Sequence, residues 1–159
     1  MTLWHGSYTV VEKPDLSFSR LRTDFGKGFY LTPLKEQAER WAERFLRERG
    51  TGVVSCYEFA PDRDGKLKTL EFDAHTVEWL NFIMSCRRGN PVDAGWDLVI
   101  GGVANDKVFD TLQLYFDELI EAMEAIRRLR YKKPNIQYCF KAQSIMDEYL
   151  RFTGSEVLK

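Results

Sequence analysis

The segment Asp-Phe-Gly-Lys-Gly-Phe-Tyr-Leu-Thr at residues 24–32 carries the residue types best suited to holding a flat, polar ligand. Gly26 and Gly28 lack a Cβ, so their backbone can adopt positive φ or let a ligand approach closely. Tyr30 then supplies a ring that can stack on a planar heterocycle and a hydroxyl that can hydrogen-bond. The same pattern also occurs where a tight loop or bulge leads into a buried strand, and by themselves these residues favour that structural interpretation.

Further polar residues stand where predicted strands begin or end. His5, followed by Gly6 and Ser7, lies where the first strand gives way to a loop, a place where histidine more often has a structural hydrogen bond than a ligand. Gln137 faces away from the bulky residues of the strand at 136–140, which predicts either a sheet surface or a cleft.

A second segment of small residues next to polar ones follows the buried strand at 96–100. Gly101 and Gly102 close that strand, and Asn105 and Asp106 follow after Val103 and Ala104. Their local chemistry favours a turn or a helix cap, but they could also line the same groove as the glycines of the 24–32 segment.

The spacing of apolar residues predicts the elements that position these groups. Thr32 and Pro33 are typical of a helix start, and Gly50 ends that helix. The residues at 53–59 and 67–72 flank a turn at 61–65 and predict a hairpin. Asp73 is predicted to cap the next helix, with His75 in its first turn. The later elements are predicted to be helices at 111–119 and 122–129, a strand at 136–140, and a last short helix or strand within 146–158.

Composition limits the classes of function. The chain of 159 residues is long enough for one domain, 1–159, with a sizeable core. Its 23 basic and 24 acidic residues exclude a strong overall attraction to nucleic acid or membrane. The one basic run has a sufficient explanation in the dipole of a helix C-terminus and comprises Arg127, Arg128, Arg130, Lys132 and Lys133.

The cysteines and the apolar runs indicate where the protein works. Cys56, Cys86 and Cys139 are widely spaced, and the chain has two histidines, so we expect reduced, mostly buried thiols and no metal site. No apolar run reaches the roughly 18 residues that cross a bilayer, and no signal peptide is predicted. We therefore expect a cytoplasmic protein with no membrane partner.

In their order along the chain, three motifs resemble those of the ADP-ribosyltransferase superfamily, in its His-Tyr-Glu branch, which includes the poly(ADP-ribose) polymerases and diphtheria-type toxins. These are His-Gly-Ser at 5–7, the glycine-aromatic segment at 24–32 and Gln137. The chain is more similar still to a bacterial domain family of uncharacterised function that looks like a compact member of that superfamily. There Trp-Asp-x-Val-x-Gly, Ala-Asn-Asp and Asn-x-Gln recur, as they do here at 96–101, 104–106 and 135–137.

The resemblance implies an α+β domain with a split, mostly antiparallel β-sheet, flanking helices and an NAD groove between the two halves. It also implies that His5 hydrogen-bonds a ribose hydroxyl of NAD and that the Gly6 backbone holds the nicotinamide amide. Tyr30 would stack on the nicotinamide ring, and Gln137 would stand where the superfamily has its catalytic glutamate. The predicted catalytic residues are thus His5, Tyr30 and Gln137, and the predicted NAD-binding residues are Gly6, Ser7, Asp24, Phe25, Gly26, Gly28, Thr32, Asn105 and Asp106.

Gln137 departs from the superfamily's pattern. Cleavage of the bond between nicotinamide and ribose builds positive charge on the sugar, as in glycoside hydrolysis. A glutamine can accept a hydrogen bond from the ribose but carries no charge, and one lost electrostatic contact can cost roughly a hundredfold in rate. Asp106, and after it Asp24, are the candidates for the missing carboxylate.

Two classes of function follow from the resemblance. The first is an NAD-dependent enzyme that transfers ADP-ribose to a macromolecular acceptor or cleaves NAD, as the toxin of a toxin-antitoxin pair with an antitoxin protein as partner. The second is an inactive module that binds NAD, ADP-ribose or a modified partner. A phosphotransferase acting on RNA ends is disfavoured because it needs more basic or imidazole groups than two histidines provide.

Overall fold

A computed structural model describes residues 1–60, 65–73, 75–104, 106–129 and 135–159, with Asp106 and Lys107 described through their backbone. This part of the chain forms seven strands and five helices. In chain order they are β1 (Thr2–Ser7), β2 (Phe29–Leu31), α1 (Lys35–Arg49), β3 (Val53–Phe59), β4 (Thr69–Glu71), α2 (Val77–Arg87), β5 (Leu98–Gly102), α3 (Asp106–Phe116), α4 (Ala122–Leu129), β6 (Ile136–Phe140), α5 (Gln143–Tyr149) and β7 (Leu150–Val157).

The strands form two sheets. One is antiparallel in the order β1-β3-β7, and the other has the order β2-β6-β5-β4, in which β4 and β5 are the parallel pair. The sheets meet where Trp4 and Thr32 exchange two backbone hydrogen bonds of 2.9 Å each. The predicted α+β class, with mostly antiparallel sheets and flanking helices, is confirmed.

Alternate residues of the strands supply cores on opposite faces of the sheets. Residues from both sheets and Met146 of α5 join in one cluster, here called the inner core, with Leu3, Leu31, Tyr57, Phe59, Leu67, Leu98, Ile100 and Phe140. The other face of the four-stranded sheet packs on α2, α3 and α4 in a second cluster, the outer core, which contains Phe25, Trp79, Val99, Leu112, Leu129 and Cys139. Helix α1 covers the three-stranded sheet through Ala38 and Ala42, which pack on Val54.

The predicted hairpin is wrong. Strand β3 has β1 on one side and β7 on the other, so both of its edges are occupied. Strand β4 therefore pairs with β5 of the other sheet, in parallel. Residues 61–64 of the predicted turn lie outside the described residues.

Two helices begin later than predicted. Thr32 is held extended by its bridge to Trp4, so α1 begins at Lys35 and the Thr32 hydroxyl accepts the backbone N–H of Leu34 at 3.1 Å. The cap of α2 is Thr76 and not Asp73, because His75 has a φ of 48° that breaks the helical path before it. The end of α1 is confirmed, with Gly50 at a φ of 79°.

Surface charge is locally balanced in the described part of the predicted basic run. Arg127 and Arg128 each pair with Glu124, at 2.7 and 2.9 Å. Arg130, Lys132 and Lys133 lie outside the described residues. Among the helices that the structure describes, none combines the length and apolar character needed to cross a membrane.

Candidate functional site

Asp24, in the loop before β2, is the centre of a buried polar network. Its Oδ1 accepts hydrogen bonds from Arg87, one of them from Nε at 2.9 Å. Its Oδ2 accepts the backbone N–H of Ala104 at 2.9 Å and Nε2 of Gln137 at 3.0 Å. These donors compensate the loss of water around a carboxylate that is 6% exposed. The structure thus places a carboxylate in direct contact with Gln137.

Gln137 lies inside the protein, 3% exposed, rather than at a sheet surface. Besides Asp24, its Nε2 donates to the carbonyl of Gly102 at 3.2 Å, and the indole of Trp79 donates to the same carbonyl at 3.1 Å. Both N–H groups of the amide are therefore used. The carbonyl Oε1 remains as the acceptor that this side chain offers.

Tyr30 is half-buried, and its hydroxyl closes the loop before it. The hydroxyl donates to the carbonyl of Gly26 at 2.6 Å and accepts the backbone N–H of Phe25 at 3.0 Å, with the Thr23 hydroxyl 2.8 Å away. Burial raises the pKa of this phenol well above its ordinary value. The Tyr30 hydroxyl is therefore neutral and holds the loop by hydrogen bonds, while its ring packs against the outer core.

His5 is tied to Tyr30 through the backbone. Its Nδ1 lies 2.8 Å from the Tyr30 carbonyl oxygen, and its ring packs on Phe29 with 4.5 Å between centroids. Burial lowers the pKa of His5, so the neutral imidazole dominates at neutral pH. Because a carbonyl only accepts, Nδ1 must carry the proton, and Nε2 is then an acceptor.

The structure brings Tyr30, Asp24 and Gln137 together and leaves the imidazole of His5 apart. Side chains alternate along β2, so Phe29 packs with the inner core while Tyr30 packs with the outer core. His5 lies with Phe29 on the inner side, whereas Gln137 is bonded to Asp24 on the outer side.

The glycines at the predicted site are required by close packing. A Cβ on Gly6 would lie 2.2 Å from the Ala38 carbonyl of α1, and one on Gly28 would lie 2.2 Å from Cys139 Sγ. Gly26 has a φ of 74° and faces Asp93, whose Oδ2 would be 2.5 Å from a Cβ. Gly6 thus packs against α1, and the glycine segment packs closely onto β6.

The other predicted NAD-binding residues have structural positions. Phe25 is fully buried in the outer core, and Thr32 is fully buried at the bridge between the sheets. Ser7 is buried and pairs with Val53 across β1 and β3. Asn105 lies outside the described residues, and so does the side chain of Asp106. Asp24 is therefore the candidate carboxylate for which a contact with Gln137 is described. The NAD-binding roles of all these residues stay predictions.

Sequence reasoning missed Gln37, a polar residue in the first turn of α1. Its side chain is 1% exposed and bonds the backbone of Ile136 twice. Nε2 donates to the carbonyl at 3.0 Å, and Oε1 accepts the N–H at 3.1 Å. The Gln37 side chain thereby bonds the β6 backbone at a point beyond the residues that pair with β2. It fixes Ile136, the residue next to Gln137. No local signal marks a glutamine for this role.

Replacing Gln37 by alanine is expected to lower the free energy of unfolding by about 2 kcal/mol, because two backbone groups lose their buried partners. Urea denaturation measures the change. The matched control is Gln113→Ala on α3, where the exposed side chain bonds Asp117 at 3.0 Å and a change within about 0.5 kcal/mol is expected. Equal effects of the two substitutions would contradict the role of Gln37.

Acidification is expected to destabilise the protein. Burial lowers the pKa of both His5 and His75 below the model-peptide value of 6.5, so the unfolded state binds more protons just below that pH. Their contribution to stability is complete above about pH 6.5 and declines as the pH falls toward the folded pKa values. Urea midpoints at about pH 7.5 and about pH 5.5 measure this.

The variant His75→Asn tests the origin of that pH dependence. His75 is buried with positive φ, which asparagine tolerates, and within the described part of the chain no group bonds its Nε2. The variant should show a smaller loss of stability between the two pH values. An unchanged loss would assign the effect to other groups.

The structure describes two surface cavities. One, of about 310 Å³, is lined by the loop before β2, by the end of α2 and by the turn after it. The other, of about 250 Å³, is lined by residues of β1, β3 and β7 and by Lys35. Neither is lined by His5, Tyr30 or Gln137.

The fold and the site define a class: an α+β protein whose two sheets carry a buried amide-carboxylate pair behind a glycine-aromatic loop. Residues 1–152 match a protein family described as "Protein of unknown function (DUF3990)". The chain belongs to this family. No curated protein and no solved structure matches it.

Proposed function

We propose that the protein is an ADP-ribosyltransferase-like enzyme that binds NAD at the face shared by Tyr30 and Gln137. It would transfer ADP-ribose to a macromolecular acceptor or, with water as acceptor, cleave NAD. The motif resemblance supports this proposal, and one structural observation carries it. Gln137, which by the resemblance would stand where the superfamily has its catalytic glutamate, donates from Nε2 to the carboxylate of Asp24 at 3.0 Å.

In this pair, Asp24 can supply the negative charge that Gln137 lacks. When the bond between ribose and nicotinamide breaks, its electron pair leaves with the nicotinamide nitrogen and positive charge develops on the ribose. Gln137 Oε1 would accept a ribose hydroxyl, while Asp24 behind it supplies the negative charge. Because Asp24 shares that charge with Arg87, the stabilisation is partial and a slow enzyme is expected.

Tyr30 and His5 fit a nicotinamide riboside in chemical type. The Tyr30 ring is fixed by three polar partners of its hydroxyl, so stacking on it would cost little further ordering. The acceptor Nε2 of a neutral His5 suits a sugar hydroxyl, as the resemblance implies, although its ring lies on the Phe29 side.

Release of nicotinamide from NAD tests the proposal. The wild-type protein should release it, Gln137→Ala should reduce the rate at least about tenfold, and Tyr30→Ala should abolish it. Tyr30→Phe keeps the ring and removes the hydroxyl, so it separates stacking from support of the loop. Phe18→Ala, at an exposed aromatic residue of the same loop, is the control expected to behave as wild type.

A binding module without turnover is the second candidate. The observation that favours it is the saturation of the network, because both oxygens of Asp24 are already hydrogen-bonded and Gln137 is buried. Calorimetric binding of NAD or ADP-ribose with no nicotinamide released would support the module. Failure to bind either compound would contradict both candidates.

The proposed biological role is that of a cytoplasmic toxin held inactive by an antitoxin protein. The resemblance to diphtheria-type toxins supports this part of the proposal. Induced expression of the wild-type chain in bacteria should then arrest growth, and the Tyr30→Ala variant at equal abundance should not. Arrest by both variants would contradict an NAD-dependent toxicity.

A further inference from the structure

The cavity of about 310 Å³ beside the glycine segment has no role in the proposed chemistry. One wall comes from the loop before β2, the other from the turn that follows α2, and Cys86 of α2 lies between them. Its lining includes Arg22, Lys27, Cys86, Gly89, Asn90 and Asp93. Its volume is at the lower end of the range for small-molecule sites.

The charge of this lining is positive. Arg22 and Lys27 are exposed, and neither forms an ion pair with another residue in the described part of the chain. Lys27 interacts electrostatically with Asp15 but forms no described ion pair with it. Arg22 and Lys27 therefore line the cavity as two cations outside the described ion pairs.

The carboxylate of Asp93 and the thiol of Cys86 do not neutralise the positive charge of Arg22 and Lys27. Asp93 is paired with Lys141 at 2.8 Å, and the Lys141 side chain is 6% exposed. The same ammonium donates to the Phe25 carbonyl at 2.5 Å, which fixes the pair to the glycine segment. Burial raises the pKa of Cys86 to about 12, so its thiol is neutral.

Two glycines let the walls approach each other. Gly89 has a φ of 81°, and the point that its Cβ would occupy is 3.4 Å from Arg22 Nε, so the guanidinium lies against this turn. On the other wall Gly26 faces the carboxylate of Asp93. The Arg22 guanidinium therefore lies beside the turn that forms the other wall of the cavity.

We propose that this cavity binds the phosphate groups of a phosphorylated ligand, with Arg22 and Lys27 as the cationic contacts. A guanidinium presents paired N–H donors that match phosphate oxygens, and an ammonium adds a point charge. The exposed amide of Asn90 is a neutral donor on the opposite wall. The inference goes beyond the proposed function, because it requires neither nicotinamide nor cleavage of NAD.

Calorimetric titration of the full chain with inorganic pyrophosphate, ADP and adenosine tests this site. Pyrophosphate and ADP should bind and adenosine should not. Equal affinity for the first two would assign binding to the phosphates alone, and tighter binding of ADP would point to a nucleotide; both results support the site.

The double variant Arg22→Ala, Lys27→Ala should weaken pyrophosphate binding at least about tenfold and flatten its salt dependence. Arg20→Ala, at an exposed cation of the same loop that does not line the cavity, should bind as wild type. No binding to the wild-type protein, equal binding by the double variant, or an equal loss in Arg20→Ala would overturn the proposal. The titration uses pyrophosphate and not NAD, so its result does not depend on whether the protein cleaves NAD.

Discussion

Replacing Arg87 by methionine is expected to lower the free energy of unfolding by about 3 kcal/mol. Asp24 is buried, and this substitution removes its cation while methionine still fills the contact with the Phe109 ring. An uncompensated buried charge is more costly than the pair is favourable. We expect the lower end of the range for broken buried pairs because the Arg87 side chain is 30% exposed. Chemical denaturation gives the value.

A double-mutant cycle separates the charge from the packing. The double variant Arg87→Met, Asp24→Asn has no buried charge, so it should be at least about 1 kcal/mol more stable than Arg87→Met alone. Arg88→Met is the matched control, since its exposed guanidinium donates to the Phe116 carbonyl at the surface. Additive effects of the two substitutions would show that Asp24 and Arg87 are not coupled.

Replacing Gly6 by alanine is expected to destabilise the protein by about 2 kcal/mol or more. The new methyl group would lie 2.2 Å from the carbonyl oxygen of Ala38 and 2.9 Å from the backbone nitrogen of Ala42. Backbone atoms inside a helix cannot move individually, so α1 would have to shift as a unit. That shift would also move Gln37 and loosen its hold on Ile136 beside the Asp24-Gln137 pair.

Gly102→Ala is the control for this second prediction. Gly102 is also buried within a strand, but its Cβ would meet Trp79 at 3.6 Å, an ordinary contact distance. We expect a change within about 1 kcal/mol for this variant. Thermal unfolding of both proteins measures the difference, and comparable loss in the two variants would mean that strand glycines matter here for some reason other than the contact with α1.

Local pattern was sufficient for much of the secondary structure. The helices at α1 and α4 and the strands at β1, β3 and β6 lie close to where periodicity and turn residues predict them. These elements follow from spacing because an apolar stripe of period 3.6 or alternation of period 2 is a property of neighbouring residues. The pairing of β4 was predicted wrongly because strand partners depend on which edges are free in the assembled sheets.

The sequence by itself determined most of the helices and strands and, through the resemblance, the α+β class. The glycine-aromatic segment as the place of a site stays a prediction. Tertiary structure alone decided that Asp24 bonds Gln137, 113 positions away, that Gln37 holds β6, and that His5 lies on the face opposite Tyr30. The physical reason is that a buried polar group must find partners wherever the fold brings them, and those partners leave no mark in the local spacing of residues.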